Sequence, residues 1–128
     1  MSTTIEVRKG PWIHNNERLP YQVIGNASVL SSPYDFIGRP EMVGTALSVE
    51  GYEQTGKVSG FQVQVYEERR DGSGPILRYL KMGEFDAPRS IVVYGQLAEG
   101  KQYHKDQLWW RPAENFAQNF TPLPLNQG

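Results

Sequence analysis

Apolar and polar residues alternate most regularly in the middle of the chain. Within 60–70, Phe61, Val63 and Val65 share one side of an extended chain, and the glutamines between them face the other side. The glycine-rich segment that follows favours a tight turn, because glycine adopts positive φ without steric cost. A second apolar run returns behind that turn. The pattern therefore predicts a β-hairpin over 60–82.

Shorter runs of the same kind are spread over the rest of the chain. They predict strands at 5–8, 19–25, 43–50, 90–97 and 107–110. Gly10 and Pro11 are expected to stop the first of them, whereas the β-branched run at 90–97 is expected to be buried on both faces. Pro112 then opens one short helical turn, at the position where its missing N–H costs least. The proline-broken tail 117–128 is expected to be extended or frayed.

Six or seven short strands with frequent turns and almost no helix predict an all-β, mostly antiparallel fold. A small barrel or a sandwich satisfies this pattern. The 128 residues are enough for a single domain, 1–128, with its own core. Because 12% of the residues are aromatic, large rings are expected to supply much of that core.

The chain carries a net charge of -1 and contains no cysteine. So small a net charge does not supply the general attraction to phosphates on which nucleic-acid binding depends. The lack of cysteine excludes disulfides, iron–sulfur clusters, thiolate zinc sites and cysteine nucleophiles. No apolar run has the length of a membrane span or the character of a signal peptide. These features predict a soluble, cytoplasmic protein with no membrane association.

A run of four charges, 67–70, stands just before the turn of the predicted hairpin. Alternation along the strand places Glu67 and Arg69 on the same face. This is expected of an exposed hairpin tip, which also protects a sheet edge from aggregation. A tip that carries both charge signs is equally suited to contact a partner.

The most informative aromatic residues are the consecutive Trp109 and Trp110. On a strand they must point to opposite faces, so we expect one ring in the core and the other towards solvent, a loop or a partner. An outward tryptophan beside Arg111 is typical of a binding hot spot and could also stack on a nucleobase or another planar ligand. The alternative is that a loop around Tyr34 and Phe36 covers the outward ring.

The two histidines, His14 and His104, lie near opposite ends of the chain. Together with Asp106 or Glu114 they could form a metal site or a general acid–base pair. The sequence has neither His-x-His nor His-Glu-x-x-His spacing, however. A partly exposed structural histidine bonded to a loop carbonyl is the alternative that this spacing favours. We therefore predict no metal and no other cofactor.

Four segments together resemble the family of small bacterial domains known as DUF1653. They are Trp12-Ile13-His14, Tyr21 to Ala27, Ile91 to Leu97, and Leu108 to Pro112 with Phe116. The resemblance implies an SH3-like small barrel from a bacterium and brings no catalytic assignment. Trp110 stands where that family has an aliphatic residue. Residues 28–90 stand where the family has only a short link, so the resemblance implies an insertion that carries the hairpin 60–82.

These observations favour a non-enzymatic binding or adaptor domain that recognises a protein or a small planar ligand. The candidate contact residues are Trp12, His14, Tyr94, His104, Trp109, Trp110 and Arg111. One alternative is a small enzyme that uses either histidine with a carboxylate. Another is single-stranded nucleic-acid binding on the barrel face, which requires Arg8, Lys9, Arg18, Arg39, Arg78 or Lys101 to converge. A homodimer formed through an edge strand is compatible with so many hairpins.

Overall fold

Eight strands and one short helix make up the fold. The computed structural model describes residues 6–16, 18–49, 58–72, 74–83, 88–97 and 107–124. The strands are β1 (Gly10–His14), β2 (Pro20–Val29), β3 (Arg39–Val49), β4 (Val58–Arg69), β5 (Ile76–Met82), β6 (Ser90–Gln96), β7 (Leu108–Pro112) and β8 (Phe120–Pro122). The helix α1 (Ala113–Asn119) lies between β7 and β8.

Six of these strands close into a barrel, which confirms the predicted small all-β barrel. Its circular order is β2, β5, β4, β3, β7, β6 and back to β2. Four neighbouring pairs are antiparallel, whereas β2–β5 and β3–β7 are parallel. The strands β1 and β8 lie outside the ring, with β1 on the first half of β2 and β8 on β1. Among the described residues, no helix is both long and apolar enough to span a membrane.

The predicted hairpin is confirmed as β4 and β5. Its register runs from Glu68 opposite Ile76 to Gln62 opposite Met82. The predicted inward face is correct for Val63 and Val65, which are both fully buried. Phe61 lies one residue beyond the last β4–β5 pair and is 43% exposed instead.

The segment 28–90 supplies three of the six barrel strands, β3, β4 and β5. The hairpin 60–82 is therefore part of the barrel wall. Whether this segment is an insertion relative to other proteins stays a prediction.

Both ends of the chain differ from expectation. Glu6 to Arg8 form no strand, and the first strand begins at Gly10, where a stop was predicted. The reason is tertiary, because β1 is held between β2 on one side and β8 on the other. At the other end α1 continues to Asn119, and β8 begins at Phe120, which is buried. The tail is therefore ordered secondary structure as far as Pro122 because an aromatic side chain anchors it.

Two hydrophobic cores lie on opposite faces of the barrel wall. The inner core fills the barrel and receives a side chain from each of its six strands; it includes Ala27, Ala46, Val63, Tyr79, Val93 and Trp110. The outer core lies between the wall and the β1–α1–β8 layer and includes Trp12, Tyr21, Tyr94, Trp109, Phe116 and Phe120. Because β6 contributes alternately to both, its residues 91–94 are all buried, as predicted.

Candidate binding surface

The structure places most of the predicted contact residues inside the protein. Trp109 is 0% exposed in the outer core, and Trp110 is 5% exposed in the inner core. The expectation that one of these rings faces outward is therefore wrong. The two rings do point to opposite faces, but each face has its own core. The indole N–H of Trp110 also donates a hydrogen bond to the carbonyl of Phe61 at 3.2 Å.

The loop proposed to cover the outward tryptophan has a different position. Tyr34 is 91% exposed, and Phe36 packs edge-on against Tyr66 with 5.2 Å between ring centroids. Trp110 needs no such cover, because it points into the barrel interior with the other inner-core side chains.

Of the remaining predicted residues, Trp12 and Tyr94 belong to the outer core, and Arg111 packs beside it. Trp12, Tyr94 and Arg111 are all buried. The Arg111 Nε donates to the Tyr94 hydroxyl at 2.9 Å, and its guanidinium lies 5.2 Å from the centroid of the Phe120 ring. Its Nη1 donates to Asn115 Oδ1 at 2.8 Å. These bonds fix α1 and β8 against the barrel, which is a structural use of this arginine.

His14 is fully buried, rather than partly exposed as expected. Its Nδ1 accepts the backbone N–H of Asn16 at 3.2 Å, and its ring meets Phe120 edge-on at 4.8 Å. His104 and Asp106 lie outside the described residues. Among those that are described, no three histidine or carboxylate side chains form a group that could hold a metal ion.

Two of the basic residues named for a nucleic-acid face, Arg8 and Arg78, are bound to other groups of the described part of the chain. Arg8 donates to the carbonyls of Pro11 and Leu123, at 3.1 and 2.7 Å, and so ties the two chain ends together. Arg78 is bound to a buried carboxylate on β4. Lys101 lies outside the described residues.

That buried carboxylate, Glu68, is the feature that the sequence pattern missed. Side chains alternate between the two faces of a strand, so Glu68 lies on the outer face of the barrel, opposite to Val63 and Val65. It is nevertheless 0% exposed. Its Oε2 accepts the backbone N–H groups of Ile37 and Gly38 at 2.6 and 3.2 Å.

The other carboxylate oxygen of Glu68 is held by two arginines. Its Oε1 lies 2.7 Å from Arg70 Nη2 and 3.2 Å from Arg78 Nη1. Burial alone raises the pKa of Glu68. The hydrogen bonds from the Ile37 amide, the Arg70 side chain and the Gly38 amide, with the charge of Arg70, lower it by more. The net effect is a pKa below its ordinary value, so the group remains a carboxylate at neutral pH.

Glu68 thereby anchors the loop 31–38 to the end of the hairpin. At the start of this loop the Ser32 amide donates to Asp35 Oδ2 at 3.1 Å, and the Asp35 amide donates to the Ser32 carbonyl at 3.1 Å. At its end Gly38 packs against the backbone of Arg69, where an added Cβ would come within 2.1 Å of the carbonyl oxygen. The loop is therefore fixed at both ends by polar bonds and close packing.

Gly38→Ala is expected to displace the end of this loop and lower the free energy of unfolding by about 1–3 kcal/mol. The cause is the overlap with the Arg69 carbonyl, which pulls the two amides away from Glu68. Urea unfolding measures the loss, and hydrogen exchange should show reduced protection of the Ile37 amide.

Gly74→Ala is the matched control for that substitution. An added Cβ there meets nothing within 4 Å, so we expect a change of no more than about 0.5 kcal/mol. Equal stability of the two variants would contradict the close packing at Gly38.

Ile37, on the anchored loop, lines a groove with the arginines of the hairpin end, and Tyr34 lies three residues earlier on the same loop. We define the recognition surface as Tyr34, Ile37, Arg39, Arg69 and Arg70. Tyr34 and Ile37 are 91% and 77% exposed. A groove of about 370 Å³ runs along the arginines and is also lined by Asp71 and Pro75. Ile37 and Gly38 line an adjoining groove with the same arginines.

A second concavity of about 370 Å³ lies where β2 passes from pairing with β1 to pairing with β5. Its lining mixes the charged Glu6, Lys9 and Glu67 with aliphatic residues of β2 and β5. It has no aromatic side chain in its lining. The recognition surface has the stronger character of a binding site because it combines an exposed ring, an exposed aliphatic side chain and several arginines.

Fold and surface together define a small all-β barrel domain with an anchored, exposed loop beside an arginine-lined groove. No family model, no curated protein and no solved structure matches this chain. The four segments that resemble DUF1653 fall mainly on β1, β2, β6, β7 and α1, which surround the outer core. The resemblance itself stays a prediction.

Proposed function

We propose that this chain is a binding domain that recognises a protein partner through the recognition surface and catalyses no reaction itself. The residue types predicted from the sequence, an aromatic ring and arginine, are retained. Their location moves from the buried Trp109–Trp110 pair to Tyr34 on the anchored loop and the arginines that line the groove with Ile37.

The observation that carries this proposal is the use of a buried charge to hold an exposed loop. Removing a carboxylate and parts of two arginine side chains from water costs desolvation free energy. Because this cost can exceed the attraction between the charges, the cluster by itself does not indicate that the fold is more stable. Glu68 nevertheless fixes the Ile37 and Gly38 amides while the side chains of Tyr34 and Ile37 remain in solvent. Loop order that exists before binding reduces the conformational entropy lost on association.

The shape of the surface favours a protein over a small planar ligand. Tyr34 is almost fully exposed, so its ring has no facing wall that would enclose a flat molecule. Tyrosine and arginine are both enriched among residues that dominate protein–protein binding energies.

Selection of random twelve-residue peptides displayed on phage would test this proposal. Peptides selected on the unaltered protein are expected to lose at least tenfold in affinity when Tyr34→Ala or Ile37→Ala is introduced, because these side chains supply the exposed apolar area. Isothermal titration with synthetic copies of the selected peptides measures the loss.

Phe61→Ala is the matched control, since Phe61 is an exposed ring beyond the other end of the β4–β5 pairing. It should leave the affinities unchanged. Selected peptides that bind equally well to both loop variants, or a selection that yields no binding peptide, would overturn the proposal.

A further inference from the structure

The register of β3 against β4 places like charges directly opposite each other at the end of the ladder. Arg39 faces Arg69, and two residues further in, on the same face, Glu41 faces Glu67. Like charges in directly opposed positions destabilise an antiparallel pair. An arginine opposite a glutamate in each of these two cross-strand pairs would be more stable.

Glu41 and Glu67 both lie near Arg69, and neither forms an ion pair with Arg39. Arg69 Nε lies 3.5 Å from Glu67 and 3.9 Å from Glu41, so one arginine serves both acids. Within the described part of the chain, Arg39 makes no ion pair and no side-chain hydrogen bond. Arg70 is engaged by Glu68. Arg39, which lines the groove with Ile37, is therefore the arginine of this group that has no carboxylate partner among the described residues.

We propose, resting on the proposed function, that the partner presents an acidic peptide segment. An aspartate or glutamate carboxylate of that segment lies between Arg39 and Arg69, and an apolar neighbour contacts Ile37. Arginine guanidinium groups bind carboxylates through paired, charge-assisted hydrogen bonds. Such a carboxylate would reduce the repulsion between the two arginines. It would also pair with Arg39, which has no partner among the described residues.

The surrounding acids explain why the proposed ligand is a peptide and not a nucleic acid. The Glu41–Glu67 pair lies directly behind the Arg39–Arg69 pair, and Asp71 lines the same groove. A phosphate backbone, with charges repeated at every nucleotide, would meet these carboxylates. A peptide can place a single carboxylate between the arginines and apolar or neutral residues elsewhere.

Two phage-displayed peptide libraries that differ in one respect test this proposal. In one library every third position is Asp or Glu, and in the other the same positions are Asn or Gln. The acidic library is expected to yield binders. A synthetic acidic peptide should bind at least tenfold more tightly than its amide counterpart in fluorescence anisotropy.

Variants of the protein then locate the contact. Arg39→Gln should weaken the acidic peptide about tenfold and leave the amide peptide unchanged, and Arg39→Lys should restore part of the loss. Lys81→Gln is the matched control, because it removes an exposed positive charge from the opposite end of the hairpin. It should change the affinity less than twofold.

The possible failures are distinguishable. If both libraries yield binders of equal affinity that depend on Tyr34, the binding function stands and the acidic partner is wrong. If a twelve-nucleotide oligothymidine binds more tightly than the acidic peptide, the class of partner is wrong. If neither library yields a binder that Tyr34→Ala weakens, the proposed function fails together with this inference.

Discussion

Trp109→Ala is expected to lower the free energy of unfolding by about 3–5 kcal/mol, the range for a large aromatic side chain removed from a core. Trp109 is 0% exposed and lies in the outer core with Tyr94 and Phe116, beneath α1. Its removal leaves a cavity between the barrel wall and the helix. Urea unfolding followed by far-ultraviolet circular dichroism measures the change without relying on tryptophan fluorescence.

Leu97→Ala provides the comparison for this substitution. Leu97 is 47% exposed, so its truncation should change the free energy of unfolding by no more than about 0.5 kcal/mol. All three tryptophans are at most 8% exposed, and iodide should therefore quench native fluorescence only weakly. A loss of less than about 1 kcal/mol in Trp109→Ala would contradict the burial of this ring, and strong quenching would contradict the burial of at least one of the three tryptophans.

Glu68→Ala is expected to have the second large effect, a loss of about 3 kcal/mol in the free energy of unfolding. Breaking a buried ion pair by removal of one partner costs about 3–5 kcal/mol, because the remaining charge is left uncompensated. The lower end applies here because the side chains of Arg70 and Arg78 are 32% and 14% exposed and can partly rehydrate. Urea unfolding measures the loss. Hydrogen exchange at Ile37 and Gly38 should rise, because their acceptor is gone.

The pH dependence of stability gives a separate signature of the same carboxylate. The folded-state pKa of Glu68 lies below its ordinary value of 4.5. Its contribution is therefore fully present above the unfolded pKa and is lost as the pH falls through the lower folded pKa. The unaltered protein should lose stability below about pH 4.5 more steeply than Glu68→Gln, which has no proton to take up at this position. Parallel pH profiles for the two proteins would contradict the shift.

The sequence pattern was sufficient to predict those elements whose structure depends on residues close together in the chain. The hairpin of β4 and β5 follows from strict alternation around a glycine-rich turn, and both features act over a few residues. The predicted helical turn is found as α1, with Pro112 as its N-cap residue and Ala113 as its first residue. The burial of 91–94 on both faces follows from a run without polar alternation.

The candidate site was harder to predict because exposure depends on what covers each face. A strand with Trp109 and Trp110 in succession must point one ring each way, but the pattern does not state that β1, α1 and β8 cover the outer face. The charge run 67–70 has the composition of a solvated tip, and Glu67 with Arg69 behaves as predicted at 3.5 Å. Glu68 does not, because a loop thirty residues earlier supplies two amide donors to it.

The sequence by itself determined the all-β class, the central hairpin and the aromatic-rich core, because periodicity and turn chemistry are local properties, and it left a barrel and a sandwich open. Only the tertiary structure decided which aromatic rings are buried and that Glu68 is withdrawn from water. It also decided that Ile37 stands exposed beside Arg39 and Arg69 and that Tyr34 is exposed on the same loop. These outcomes depend on contacts between segments distant in sequence, whose pairing follows from closure of the barrel.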